Sequence, residues 1–157
     1  MTAPLADLGG GVVLRRANAP DLPAVVALLT DDPLGATREA ADLAPYERAL
    51  AAVDAEPAHL LVVAEDGGTV VGTLQLSFLP GLSRGGALRA QVEGVRVAAA
   101  ARGRGLGAAL LGWAADEARR RGAALVQLTT DKRRTDAHRF YERLGYAASH
   151  EGMKLEL

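Results

Sequence analysis

Arg102-Gly103-Arg104-Gly105-Leu106-Gly107 lies between a strand-like run, Val92-Glu93-Gly94-Val95-Arg96-Val97, and a stretch with helical periodicity, Ala108–Arg121. Three glycines thus alternate with larger residues where a helix begins. A helix N-terminus carries unpaired N–H groups and a partial positive charge. Glycine has no Cβ to hold a ligand away and reaches φ > 0 freely. Backbone donors in such a loop can close around phosphate oxygens. The stretch therefore predicts an α/β chain that holds a phosphate-bearing cofactor.

The rest of the composition narrows the class. The 157 residues suit one domain with a sizeable core, expected over 1–157, with residues 1–11 a flexible N-terminal lead. There is no cysteine, which excludes disulfides, thiolate metal sites and a cysteine nucleophile. The net charge of −1 and the few aromatics argue against nucleic-acid partners. Met1–Gly11 lacks the cationic region and apolar core of a secretory signal. No apolar run approaches the roughly 18 residues of a membrane span. A cytoplasmic protein without a membrane partner is the expectation, and a homodimer is left open.

Val12–Leu14 is a short β-branched strand. A helix follows, opening near Pro20 with Asn18 as a cap and Leu22, Val25, Val26, Leu28 and Leu29 on one face. A second helix spans 45–55. Leu60–Ala64 and Val70–Phe78 read as a hairpin around Asp66-Gly67-Gly68. A strand near Leu88–Val97 leads into the glycine loop and the long helix, whose buried positions are Leu106, Leu110, Leu111, Ala114 and Ala118. Leu125–Thr129 is a further strand, Thr135–Leu144 a last helix, and Tyr146–Ala148 and Met153–Leu157 two closing strands around a His150 turn. The class is α/β (α+β), with a mixed, mostly antiparallel sheet flanked by helices.

Three cofactor readings compete for the loop. A P-loop needs Gly-Lys-Ser/Thr, and no lysine follows these glycines. Gly103-x-Gly105-x-x-Ala108 fits a dinucleotide fingerprint, with Asp131 after the next strand. An alanine-rich spacer separates that motif from its strand, however, and about fifty residues are too few for the rest of a doubly wound sheet. Arg102-x-x-Gly105-x-Gly107, after Val95-Arg96-Val97 and before an amphipathic helix, resembles the acyl-CoA motif of the GNAT superfamily of N-acetyltransferases. Phe140-Tyr141-Glu142-Arg143-Leu144-Gly145-Tyr146 resembles that family's C-terminal signature, and the order of elements matches over nearly the whole chain. One position departs from it: Arg134 stands where many members carry an asparagine.

The resemblance implies an acetyl-CoA-dependent N-acetyltransferase without a metal. It acts on a primary amine, expected to belong to a small molecule, by direct attack in a ternary complex. The alternatives are a protein N-terminal or lysine acetyltransferase and a non-catalytic acyl-CoA-binding module. The resemblance further implies that the backbone of Val95, Arg96 and Val97 pairs with the pantetheine arm as an added strand would. Backbone N–H groups of Arg102, Gly103, Arg104, Gly105, Leu106, Gly107 and Ala108 would hold the pyrophosphate. An alkylammonium of pKa about 10 must lose a proton before it attacks. Glu93, two residues before Val95, is the candidate base, acting directly or through water. Alternation puts Glu93, Val95 and Val97 on one face unless a bulge intervenes. Tyr141 is the candidate acid for the departing thiolate. His59, His138 and His150 have no partners at metal-site spacing.

For the acceptor, Asp31, Asp32, Glu39 and Asp42 form an acidic entrance that favours a cationic amine over one attached to a carboxylate. Arg84 in the Pro80–Gly86 loop has no acidic neighbour there.

Overall fold

A computed structural model describes residues 3–157. The chain divides into two compact units, one ending at Gln127 and the other running Leu128–Leu157. The first holds strands β1 (Pro4–Gly9), β2 (Val12–Arg16), β3 (His59–Asp66), β4 (Thr69–Leu79), β5 (Arg89–Val97) and β6 (Leu125–Gln127). Its helices are α1 (Leu22–Thr30), α2 (Ala44–Ala55) and α3 (Leu106–Arg120). The second unit holds α4 (Thr135–Arg143).

The six strands form one sheet in the order β1-β2-β3-β4-β5-β6, antiparallel except for β5–β6. Its two faces differ. Leu60, Val62, Ala64, Leu74, Leu76, Phe78, Ala90 and Val92 alternate along β3, β4 and β5 on one face, and all are buried. Against them lies α3, with Leu110, Leu111, Ala114 and Ala118 buried in turn. Gly72 lets the helix come close: a methyl group there would lie 3.3 Å from Leu110 Cδ1 and 3.3 Å from the Arg96 carbonyl. On the other face Val25 and Leu29 of α1 pack with Val63, Leu61 and Val70. That apolar cover ends near β4. Beyond it the same face carries Thr73, Gln75, Ser77, Gln91 and Glu93.

The turn between β2 and α1 is fixed by charge. Arg15 donates from both terminal nitrogens to Asp21, at 2.7 and 2.8 Å, and from Nε and Nη2 to Glu65 Oε2, at 2.9 and 2.7 Å. Asp21 also accepts the Asn18 N–H at 2.8 Å. The Arg15 guanidinium, helped by that N–H, holds the Asp21 carboxyl below the usual range although burial opposes it.

Several expectations need correction. Pro4–Gly9 is a strand paired with β2, not a flexible lead: backbone groups there find partners across a Gly9-Gly10-Gly11 turn in which all three glycines have positive φ. The long helix starts at Leu106 rather than Ala108, because Gly105 turns left-handed (φ 76) immediately before it. The strand after it ends at Gln127 rather than Thr129. Tyr146–Ala148 and Met153–Leu157 form no strands. Alternation alone makes no ladder: Ser149 N–H bonds locally to the Ala147 carbonyl at 2.9 Å, and Met153, Leu155 and Leu157 are exposed. On the exposed side of α3, Asp116 pairs with Arg119, and Glu117 with Arg120 and Arg121.

Asp21→Asn is expected to lower stability by about 3 kcal/mol at neutral pH, the lower end for a buried pair broken on one side, since Glu65 still holds Arg15. A carboxyl whose folded pKa is depressed stabilises above its unfolded value, about 3.9, and that contribution disappears as pH falls through the folded value. Urea titrations of the two proteins should therefore differ at pH 7 and converge in strong acid. A gap that persists unchanged there would contradict the assignment.

Candidate active site

The first unit's candidate residues gather where β5 parts from its parallel neighbour. Pairing with β6 covers only Arg89–Gln91, opposite Leu125–Gln127. β5 then runs on to Val97 with β4 on one side alone. Along this stretch Gln75 faces Glu93 and Thr73 faces Arg96, so Leu74 opposes two residues, Gly94 and Val95. Gly94 has φ 60, which identifies a bulge with glycine in the left-handed position. A side chain there would point at α1, where Leu29 Cδ2 lies 3.7 Å from an added methyl group.

The bulge corrects the expected alternation. Glu93 shares its face with Arg96 and Gln91, whereas Val97, opposite Gly72, belongs to the α3 face. Glu93, Val95 and Val97 do not form one row. Glu93 is exposed and makes no salt bridge among the described residues.

The open side of β5 is occupied by arginines. Val95 O accepts from Arg96 Nη1 at 2.8 Å, and Val97 O from Arg102 Nε at 3.2 Å. These two carbonyls thus lie outside the β4 ladder. Arg96 also pairs with Asp32 at 3.0 Å and Arg102 with Asp31 at 3.0 Å. Arg96 Nε is buried without a partner among the described residues.

The glycine loop follows. Gly103 (φ 78) and Gly105 (φ 76) are both left-handed. Ala109 is the first residue of α3 to donate, to the Gly105 carbonyl at 3.0 Å. Among the described residues no N–H from Gly103 to Ala108 has a protein acceptor. Six donors at a helix N-terminus suit phosphate oxygens, and a methyl group at Gly103 or Gly105 would meet nothing within 4 Å. Beside the loop is a cavity of about 250 Å³ lined by Leu8, Gly9, Gly10, Arg104, Gly105 and Leu106, among others. Arg104 reaches back to Asp66 at 3.1 Å. The donor set and the free strand edge fit an acyl-CoA: an arm to pair with a strand, then a pyrophosphate to receive N–H groups.

The expected acidic entrance is internally engaged. Asp31 and Asp32 hold Arg102 and Arg96, Glu39 accepts the Tyr46 hydroxyl at 2.5 Å, and Asp42 accepts the Ala44 N–H at 3.0 Å. That phenol's pKa is raised, first by the hydrogen bond to Glu39. A polar row that no sequence motif marks crosses four strands, His59–Ser77–Gln91–Gln127. His59 Nδ1 and Ser77 Oγ are 2.9 Å apart, and Gln127 Nε2 donates to Gln91 Oε1 at 2.7 Å. Its signal was present as Arg89-x-Gln91-x-Glu93, polar residues at strand spacing beside buried Ala90 and Val92.

In the second unit Tyr141 is half-buried on α4, edge-on to Phe140 (5.3 Å between centroids) and Tyr146 (5.8 Å). Tyr146 N–H bonds the Tyr141 carbonyl at 3.1 Å, closing the turn at Gly145. Burial, and then Tyr141, push the Tyr146 phenol's pKa up. Arg134 stands just before α4; its N–H bonds the Asp131 carbonyl at 3.0 Å, and His138 Nε2 lies 3.1 Å from the same carbonyl. Arg133 pairs with Asp131 and Lys132 with Glu151. Among the described residues no cluster of three or more His, Cys, Asp or Glu is placed to hold a metal, and no helix is long and apolar enough to cross a membrane.

Known proteins resemble this chain in sequence and fold. The Acetyltransferase (GNAT) family profile matches residues 22–146. An aminoalkylphosphonate N-acetyltransferase of Salmonella typhimurium is 34% identical over 137 residues, 87% of this chain and 86% of that protein. A glucosamine 6-phosphate N-acetyltransferase of Trypanosoma brucei brucei is 34% identical over 90 residues, 57% of this chain and 59% of that one. A crystal structure described as a transcriptional regulator from Bacillus halodurans superimposes with a TM-score of 0.89 at 46% identity, covering 93% of this chain and 99% of that chain. A profile match over most of the chain, a relative aligned over most of its length and the fold around β5 agree: the chain belongs to the acetyltransferase (GNAT) family and is an acetyl-CoA-dependent N-acetyltransferase.

Proposed function

We propose that this chain acetylates the primary amine of a small molecule by direct attack in a ternary complex. The observation that carries the reading is the continuity of a free strand edge, Val92–Val97, with six unpaired N–H groups at Gly103–Ala108. The relatives' names support a small acceptor, since both are enzymes of compact amines that carry a phosphorus oxyanion.

Acetyl-CoA supplies the activated acetyl thioester. Val95 and Val97 offer their backbone to its arm once Arg96 and Arg102 give up the two carbonyls they hold. The N–H groups of Gly103–Ala108 receive the pyrophosphate. A bulge leaves its extra residue outside the ladder, so an N–H at Gly94 or Val95 is available to a developing oxyanion, a contact worth about 2.7–4 kcal/mol when aligned. Glu93 accepts the ammonium proton, directly or through water, and its exposure leaves it accessible. Tyr141 is proposed as the donor to the departing thiolate on the strength of the sequence motif. Tyrosine (pKa about 10) is a weaker acid than a thiol (about 8.5), so a hydrogen bond during departure is its minimal role.

Thiol release across a panel of small amines, protein N-termini and lysine peptides tests the reading. Small primary amines should support turnover. Acetyl-CoA binding without release on any of them would point to an acyl-CoA-binding module instead, and preference for the peptides to a protein acetyltransferase.

Three variants probe the assigned residues. Gly105→Asp should abolish acetyl-CoA binding by calorimetry while the circular dichroism stays native; the left-handed site costs an L residue only about 1–2 kcal/mol. Unaltered affinity would remove the loop from the cofactor site. For Glu93→Gln, kcat should fall by about 100-fold or more at pH 7. A fall within twofold would exclude the base role. Tyr141→Phe should cut turnover far more than it weakens acetyl-CoA binding, and equal losses in both would mean that the hydroxyl serves binding.

A further inference from the structure

Arg89, Gln91 and Glu93 occupy alternate positions of β5 before the bulge, opposite Leu79, Ser77 and Gln75. All three stand on the α1 face, in the region its apolar cover does not reach. Arg89 is half-buried, and among the described residues its side chain makes no ion pair or hydrogen bond. Its guanidinium lies by the Pro80–Gly86 loop: a methyl group at Gly81 would be 3.9 Å from Nη2. Between the cation and Glu93 lies the amide pair Gln91–Gln127. Gln91 Nε2 and Gln127 Oε1 have no protein partner among the described residues. The column thus reads cation, neutral hydrogen-bonding group, anion.

We propose that Arg89 binds an oxyanion at the far end of the acceptor, so that the preferred substrate is an amine bearing a phosphate, phosphonate or carboxylate. The inference rests on the acetyl-transfer reading and names its acceptor class. With the amine at Glu93, the opposite end of the molecule faces a guanidinium whose planar fork matches such an oxyanion. The two Cα positions are about 13–14 Å apart at the rise of an antiparallel strand. That spacing, with the guanidinium by Gly81, leaves room for a sugar phosphate or a short aminoalkylphosphonate. Gln91 and Gln127 meet its middle, donating to and accepting from hydroxyls. A guanidinium half-removed from water without a partner is costly; a bound oxyanion removes that cost.

Steady-state kinetics on matched acceptors test this: glucosamine 6-phosphate against glucosamine, 3-aminopropylphosphonate against propylamine, and 4-aminobutyrate as the carboxylate arm. For the wild type the anionic member of each pair should have the higher kcat/KM. In Arg89→Gln its KM should rise about tenfold or more with kcat nearly constant, while the uncharged member is unaffected. Arg89→Lys, which keeps the charge but not the fork, should recover part of the loss. Phosphorus arms alone losing affinity would narrow the end group to phosphate or phosphonate. Equal loss on charged and uncharged acceptors, or none on either, would overturn the inference. Wild-type turnover that favours the uncharged amines would overturn it too, yet leave acetyl transfer standing. A wild type that acetylates no amine would bring down both.

Discussion

The parting of β5 from β6 after Gln91 and Gln127 governs the candidate site. To that point β5 is an interior strand with ladders on both sides. Beyond it, among the described residues, one side of its backbone has no strand. Unpaired strand edges invite other chains, and proteins protect them with charge, bulges or cover. Here two of these devices coincide. Gly94 makes the bulge, and the Arg96 and Arg102 guanidiniums sit on the Val95 and Val97 carbonyls. Hydrogen bonds from side chains can be exchanged for those of an extended ligand, which a β-strand partner would not permit.

The sheet can bear such an opening because its other face is so complete. Eight apolar positions from β3, β4 and β5 are buried on that face, and Gly72 brings α3 down against β4 and β5. The α1 face is free to be polar over β4, β5 and β6, and it is. Glu93, Gln91, Gln75, Ser77 and Arg89 would weaken a core there. α1 reaches that face at Val63, Val70 and Gly94 but leaves Arg89 and Gln91 half-buried and Glu93 exposed.

Charge in this unit is arranged in local pairs. Asp21 with Arg15, Asp32 with Arg96 and Asp31 with Arg102 each tie a residue flanking α1 to a strand or to the loop after one. α1 is thus anchored at both ends, with its C-terminal side fastened beside the bulge. This pairing consumes the acids that a composition-level reading assigns to substrate attraction. Among the described residues, Glu93 and Arg89, four residues apart on β5, make no ion pair.

Local chemistry determined much of this from sequence. Glycines at 103, 105 and 107 ahead of an amphipathic run fix a helix N-terminus whatever surrounds it. The Asp66-Gly67-Gly68 hairpin and the buried positions of α3 likewise follow from turn residues and period. Tertiary structure decided the rest. Whether Pro4–Gly9 and Met153–Leu157 become strands depends on partners, because ladder bonds join distant segments, and among the described residues only the first has one. Gly94 inside a strand-like run permits a bulge, but only the pairing with β4 decides that it forms: two residues oppose Leu74, and every later side chain of β5 moves to the other face. The fate of Asp31 and Asp32 was equally hidden. Whether a carboxylate is free or paired depends on which arginine, some 64 or 71 residues away, is folded against it.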